Sequence, residues 1–207
     1  MTPCLPVRHT LRRPLALCMA ALALAACSSS PPVQLFQLRS DPPGAATGAM
    51  PDTGAAASGR WALGAVQLPD YLDRDAIVRP SGQATLNLLP GQRWAEPLRD
   101  AVPRLLLQDL SRLRGGDQVW RSPLPPGVKA DRHLRVELQR LDAPAGAHQV
   151  LLQARWMLID PSGQTPALVQ DCQIQVPLAD DSTDTLVSAH RAALWQLAQA
   201  IAGLAGR

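Results

Sequence analysis

The sequence predicts an α+β fold: a single domain in which a mainly antiparallel sheet carries two amphipathic helices packed on one face. Two periodicities support this class. In three stretches of the C-terminal half, apolar residues alternate with polar ones, as they do in half-buried strands. In 98–113 and 186–204 the apolar residues instead recur every three or four positions, which is typical of helices with one buried side.

The alternating stretches predict an antiparallel meander. They are 132–139, 149–160 and 167–176, and Asp160-Pro161-Ser162-Gly163 between the last two is a type I turn sequence. The predicted inner faces carry Leu134, Val136, Leu138, Val150, Leu152, Ala154, Trp156, Leu158, Leu168, Cys172, Ile174 and Val176.

Short strands are predicted outside the meander. They occupy 33–38, 61–68, 76–79, 84–89 and 118–121. We expect 76–79 and 84–89 to pair around the turn Pro80-Ser81-Gly82, and 71–74 to form a turn or a single helical turn. Pro90-Gly91 predicts a break of the chain after the second of these paired strands.

The two helices have distinct ends. Pro97 suits the first turn of the first helix, whereas Pro103 would kink a helix interior or mark the true start, and Gly115-Gly116 ends it. Acidic and capping residues at 180–184 suit the start of the second helix. The apolar stripes are Leu98, Val102, Leu105, Leu106, Leu110 and Leu113, and then Leu186, His190, Ala193, Leu194, Leu197, Ile201 and Leu204.

The N-terminus predicts export and lipidation. Residues 1–14 are basic, 15–26 are entirely apolar but too few to span a bilayer, and Leu24-Ala25-Ala26-Cys27 matches the lipobox of bacterial lipoproteins. We therefore expect cleavage before Cys27 and attachment of diacylglycerol to its thiol. The alternative is an ordinary secretory signal that happens to end near a cysteine.

The predicted organisation has three parts. Residues 1–26 are the signal peptide. Residues 27–60 comprise the lipidated cysteine, a Ser/Pro tether, the first short strand and a flexible Ala/Gly/Pro-rich loop. Residues 61–207 form the α+β domain, to which strand 33–38 contributes.

Charge and cysteine content restrict the function. Loss of the three signal arginines takes the formal charge from +3 to zero, with 17 basic and 17 acidic residues, which argues against nucleic-acid binding. After export and acylation Cys172 is the remaining thiol, so no internal disulfide is expected. We interpret Cys172 as a small core residue, the alternative being a reactive thiol.

The search for catalytic chemistry is negative. The sequence contains no Gly-x-Ser-x-Gly, His-Glu-x-x-His, Cys-x-x-Cys or phosphate-loop motif. Asp70, Asp73 and Asp75 have metal-like spacing but lack the glycine and glutamate of a calcium loop. We predict no enzyme, no catalytic residue, no cofactor and no metal.

Four stretches resemble the Pqi-type lipoproteins, the PqiC/YmbA-like auxiliary lipoprotein family of ABC-type transport systems. They are Leu24–Cys27, Phe36-Gln37-Leu38, Leu68-Pro69-Asp70-Tyr71-Leu72-Asp73-Arg74 with Ile77-Val78, and Arg93-Trp94-Ala95-Glu96-Pro97-Leu98. The sequence departs from the family in its long loop 40–59 and in Asp75-Ala76, where a proline often follows the arginine.

The resemblance implies a non-enzymatic docking subunit of an intermembrane lipid transport system. Its expected partners are the membrane through the lipid anchor, an inner-membrane channel protein with MCE domains, and sometimes an ABC transporter; self-association into a homo-oligomer is also considered. Ser28 after the lipidated cysteine, where aspartate would signal inner-membrane retention, favours the outer membrane, facing the periplasm. The alternatives are a structural lipoprotein that binds cell wall or another envelope protein, and a stand-alone periplasmic hydrolase.

Four residues are candidates for the partner surface: Tyr71, Arg74, Trp94 and Glu96. Tyr, Trp and Arg dominate binding hot spots because each combines a large contact area with directed polar groups. The alternative is that Tyr71 and Trp94 pack against the sheet, while Arg74 and Glu96 pair or cap locally.

Overall fold

The computed structural model describes residues 32–43 and 59–204. The predicted signal peptide, Cys27 and most of the predicted loop 40–59 lie outside the described residues. The elements, in chain order, are β1 (Gln34–Phe36), β2 (Trp61–Gln67), a 3-10 turn (Asp70–Leu72), β3 (Ala76–Ser81), β4 (Thr85–Trp94), α1 (Leu98–Arg114), β5 (Val119–Arg121), β6 (Arg132–Asp142), β7 (Gln149–Ile159), β8 (Leu168–Pro177) and α2 (Thr183–Leu204). The predicted α+β class is confirmed, and its strands are divided between two mixed sheets.

The larger sheet has the strand order β5-β2-β6-β7-β8. β6, β7 and β8 form the predicted antiparallel meander, and β2 runs parallel to both of its neighbours, β5 and β6. The alternation seen in the sequence determines which side is buried: Leu134, Leu152 and Trp156 are inaccessible to solvent, while Arg135 and Arg155 on the other side are exposed.

The smaller sheet has the order β1-β4-β3, with β1 parallel to β4 and β3 antiparallel to it. The expected break at Pro90-Gly91 is wrong, because β4 continues through both residues to Trp94. A bulge absorbs them: the register with β3 shifts between Ala76 and Val78, and Gly91 adopts a φ of 68° that favours glycine. Pro90 has no N–H group to donate to a neighbouring strand, and it is tolerated because the pairing is interrupted at a bulge.

Both helices pack on the larger sheet, α1 against β2 and β5 and α2 against β7 and β8, and they also contact each other. α1 runs through Pro103. The proline is tolerated there although its missing N–H removes one hydrogen bond of the helix. α1 ends at Arg114 and is followed by the capping residue Gly115, whose φ is 105°.

The core lies between the helices and the larger sheet. Leu105, Leu106, Leu194 and Leu197 of the two predicted helical stripes are inaccessible to solvent. Cys172 is half-buried and packs against this core, and burial raises the pKa of its thiol. The predicted buried sides of both helices are therefore confirmed, with Leu113 half-buried at the end of α1; the side chain of Leu204 lies outside the described residues.

Candidate functional site

The chain that follows β1 is bound to both helices through arginine side chains. Leu38 is buried in the core, and the next two residues present their carbonyl oxygens to α1 and α2. Arg191 of α2 donates from Nε to the carbonyl of Arg39 (2.8 Å) and from Nη2 to that of Ser40 (3.3 Å). Arg112 of α1 donates to the Ser40 carbonyl at 2.6 Å.

A buried ion pair holds Arg191 in place. Both of its terminal nitrogens donate to the carboxylate of Asp109 on α1, at 2.7 and 2.8 Å. The Asp109 side chain is 0% exposed and that of Arg191 is 5% exposed. Burial raises the pKa of Asp109, and the guanidinium groups of Arg191 and Arg112 oppose that shift. We call Arg39, Ser40, Asp109, Arg112 and Arg191 the anchor clamp.

The charged pair of the anchor clamp could have been found in the sequence, although the apolar periodicity of the helices did not reveal it. Asp109 comes four residues after Leu105 and three after Leu106, so it lies on the apolar side of α1. Arg191 comes three residues before Leu194 on α2. Two opposite charges, each on the buried side of its own helix, indicate a buried pair because an isolated buried charge is strongly unfavourable.

The last turn of α1 also holds the chain that precedes β2. Arg114 donates to the carbonyl of Gly59 at 3.0 Å, and its guanidinium carbon lies 3.5 Å from the centre of the Trp61 ring. Burial lowers the pKa of Arg114 to about 10, so the side chain remains charged at neutral pH. Residues on both sides of segment 44–58 are thus fixed to the same end of one helix.

Trp94, predicted to contact a partner, is the last residue of β4 and its side chain is buried. It is 7% exposed, and its ring packs edge-on against His190 of α2, with the ring centres 5.9 Å apart. Nδ1 of His190 lies 2.8 Å from the Leu186 carbonyl. Burial lowers the pKa of His190, so the imidazole is neutral at pH 7 and this nitrogen carries the donated proton. Trp94 therefore contributes to packing between β4 and α2.

Tyr71 is half-buried beside the end of β6. Its hydroxyl donates to the Asp142 carboxylate at 2.9 Å and accepts the Leu141 N–H at 3.3 Å, and Arg140 donates to the same carboxylate at 2.9 Å. Burial, with the nearby Asp142 charge as a smaller cause, raises the pKa of Tyr71 to about 12. Tyr71 thus joins the 3-10 turn to β6 through a polar contact.

The other two candidates lie nearer to solvent. Arg74 is exposed, two residues after the end of the 3-10 turn. Glu96 is half-buried and pairs with Arg104, whose second nitrogen lies 3.3 Å from the Ser40 hydroxyl. The structure thus integrates Tyr71, Trp94 and Glu96 into local contacts, whereas Arg74 projects from the surface. Partner binding by these four residues stays a prediction.

Two further observations concern metal ions and membranes. Across residues 32–43 and 59–204, no group of three or more His, Cys, Asp or Glu side chains is placed to hold a metal ion. In that same part of the chain, neither helix combines the length and apolar character needed to cross a membrane.

The comparison with protein families covers most of this fold. A model of the family described as ABC-type transport auxiliary lipoprotein component matches residues 37–202. The chain belongs to this family. The resemblance drawn from the sequence is therefore confirmed. The match begins directly after β1, includes every element from β2 to β8, and covers α2 except its last two residues.

Two solved structures share the fold of this auxiliary lipoprotein. An uncharacterized protein is 18% identical with a TM-score of 0.65, covering 84% of this chain and 99% of its own. Protein XCC0632 from Xanthomonas campestris, of the DUF330 family, is 16% identical with a TM-score of 0.61, covering 83% and 94% respectively. At such identities the likeness concerns the fold alone. No protein of curated function matches the sequence.

Proposed function

We propose that this lipoprotein is a non-enzymatic docking subunit of an MCE/ABC-type intermembrane lipid transport system. In this proposal residues 1–26 are removed, Cys27 carries fatty acyl chains such as palmitate, and the domain is held at the outer membrane facing the periplasm. Membership of the auxiliary lipoprotein family supports the transport role. The lipobox ending at Cys27 supports the anchor, and Ser28 supports the choice of membrane.

The docking role is supported by the contacts of the segment that follows Cys27, which is held to the domain by sheet pairing and by hydrogen bonds. β1 pairs in parallel with β4, and the Ala95 N–H donates to the Phe36 carbonyl at 2.8 Å. Directly after β1, the anchor clamp binds the chain to both helices. A subunit that holds a channel protein against a membrane experiences a pull between its anchor and its body. Sheet pairing and buried charged hydrogen bonds resist such a pull at this point.

The proposed partner surface consists of Tyr71, Arg74, Trp94 and Glu96. Arg74 is exposed and would contact the MCE-domain protein directly. The other three would position it: Tyr71 holds the 3-10 turn on Asp142, and Trp94 and Glu96 hold the junction between β4 and α1. A homo-oligomer would bring several such surfaces together around one channel.

Copurification with a candidate MCE-domain protein, sought among the products of neighbouring genes, tests this surface. Arg74→Ala should weaken capture of that protein by ~1–4 kcal/mol if Arg74 is a hot spot, with an unchanged melting temperature. Arg135→Ala, which removes an exposed arginine from the outer side of β6, is the matched control and should bind normally. Full capture by Tyr71→Ala, Arg74→Ala and Trp94→Ala alike would eliminate the proposed surface.

The anchor is tested separately in cells. Cys27→Ser should abolish incorporation of labelled fatty acid and leave an uncleaved precursor or a soluble periplasmic protein. In density-gradient fractionation, the unaltered protein should accompany outer-membrane markers. Fatty acid retained by Cys27→Ser would refute the anchor, and comigration with inner-membrane markers would refute the proposed location.

A further inference from the structure

We propose that the outward side of the smaller sheet lies on the lipid surface to which the protein is anchored. We call this side the leucine face; its exposed residues are Leu35 of β1 and Leu86, Leu88 and Arg93 of β4, and it also includes Val78 of β3, which is buried. The inference rests on the lipidation of Cys27 in the function proposed above, and it adds a second, non-covalent membrane contact.

Strand register places these five residues on one side of the sheet. Leu35 is paired with Arg93, and Arg93 is paired with Ala76 on the opposite neighbour. Val78, two residues beyond Ala76 and therefore on the same side, is paired with Leu88. Leu86 precedes Leu88 by two residues and shares its side. The residues between these positions, Phe36, Ile77 and Trp94, contact the core.

The leucine face is unusually apolar for a solvent-exposed surface. Leu35 is 66% exposed, Leu88 53% and Leu86 43%. Within the part of the chain that the structure describes, five large aliphatic side chains are exposed to this degree, and these are three of them. A fourth, Val33, directly precedes β1 in the sequence. Three of the five are thus on one side of one small sheet, and such clusters mark contact sites.

Chain length identifies the lipid surface as the occupant. Leu35 follows Cys27 by eight residues, so a fully extended chain can separate the two Cα atoms by no more than about 28 Å. The acylated Cys27 lies at the bilayer surface. β1 is the first strand after it, and β4 runs about 4.8 Å from β1. No strand of the larger sheet follows the anchor so closely in the sequence.

Chemistry and energetics favour lipid over a second protein. Leucines beside an exposed arginine match a bilayer interface, where acyl chains accept the leucines and headgroup phosphates accept the guanidinium. A specific protein interface buries roughly 800 Å² on each partner and involves about 20–30 residues on each side, whereas the exposed part of this face consists of three leucines and one arginine. A tethered surface needs much less, because the covalent anchor makes the membrane contact intramolecular.

Lipid-dependent fluorescence quenching tests the contact on the mature, acylated chain. Leu88→Cys, in a Cys172→Ser background, receives an environment-sensitive fluorophore, while the Cys27 thiol is already blocked by lipid. Gln175→Cys carries the same fluorophore on the exposed outer side of β8 and is the control. Both proteins are inserted into vesicles of phosphatidylethanolamine and phosphatidylglycerol that contain a nitroxide-labelled lipid.

We expect the fluorophore at position 88 to shift to shorter wavelength and to be quenched severalfold more than the one at position 175. Equal quenching at the two positions would overturn the inference. A shift that increases with protein density but is insensitive to the nitroxide lipid would overturn it in favour of self-association. Loss of the protein from the vesicles after a salt wash would refute the Cys27 anchor itself, and the inference with it. Leu35→Cys provides the same measurement from β1 if Leu88→Cys does not fold.

Discussion

Asp109→Asn removes one charge from the buried pair in the anchor clamp, and we expect a large loss of stability. The substitution preserves the size and shape of the side chain but leaves the guanidinium of Arg191 without a counter-charge. Arg191 is almost inaccessible to solvent and is held by hydrogen bonds to Arg39 and Ser40, so it cannot recover hydration without local unfolding.

The magnitude follows from burial. Breaking a buried ion pair by removing one partner costs about 3–5 kcal/mol, because the remaining charge is uncompensated in a medium of low polarity. A domain of this size has a free energy of unfolding on the order of 5–15 kcal/mol, so the variant loses a substantial fraction of it. The melting temperature should fall by roughly 6–20 °C.

Asp171→Asn is the matched control. Asp171 and Arg155 also form two hydrogen bonds, from Nε at 2.8 Å and from Nη2 at 3.1 Å, on the exposed outer side of the larger sheet. Water solvates both groups whether or not they are paired, so the control should unfold at nearly the same denaturant concentration as the unaltered protein.

Urea unfolding followed by tryptophan fluorescence measures both variants. Equal unfolding midpoints for Asp109→Asn and Asp171→Asn would refute the argument that burial makes the Asp109 pair more important for stability than the exposed Asp171 pair. The double variant Asp109→Leu with Arg191→Met should recover most of the lost stability, because it removes both charges together. It should still increase amide exchange around Arg39 and Ser40, because their hydrogen bonds from Arg191 are absent.

Two further predictions concern the core and the polar contact of Tyr71. Leu105→Ala and Leu197→Ala should each lower the free energy of unfolding by about 2–5 kcal/mol, since both side chains are inaccessible to solvent. Leu35→Ala, at an exposed position, should change it little. Unchanged melting temperatures for all three variants would contradict the helix packing. Tyr71 is the single tyrosine of the sequence, so phenolate absorbance should report its pKa of about 12 directly, and a midpoint near 10 would contradict its burial beside Asp142. Because the unfolded chain loses this proton first, stability should fall as the pH rises from about 10 to about 12, and Tyr71→Phe should remove that part of the pH dependence.

The periodic parts of the fold could be predicted from the sequence because their burial follows local rules. Alternation identified the inner sides of β6 and β7, and steps of three and four identified Leu105 and Leu197 on the buried sides of the helices. The break expected at Pro90-Gly91 was wrong, because the same two residues that end a regular strand can occupy a bulge within one. Which occurs depends on whether β1 and β3 are present to pair with β4.

The sequence by itself determined the α+β class, the positions of the two helices, and the family to which the chain belongs. These properties depend on patterns within segments of 10–20 residues and on motifs such as 93–98, all of which can be read from the linear sequence. Only the tertiary structure decided that Trp94 packs on His190 and that Arg191 joins Asp109 to Ser40. Such contacts connect residues about 80 to 150 positions apart, and they arise from packing rather than from any local preference. The exposure of Arg74 is likewise a property of the folded chain, because it depends on which distant residues pack near its turn.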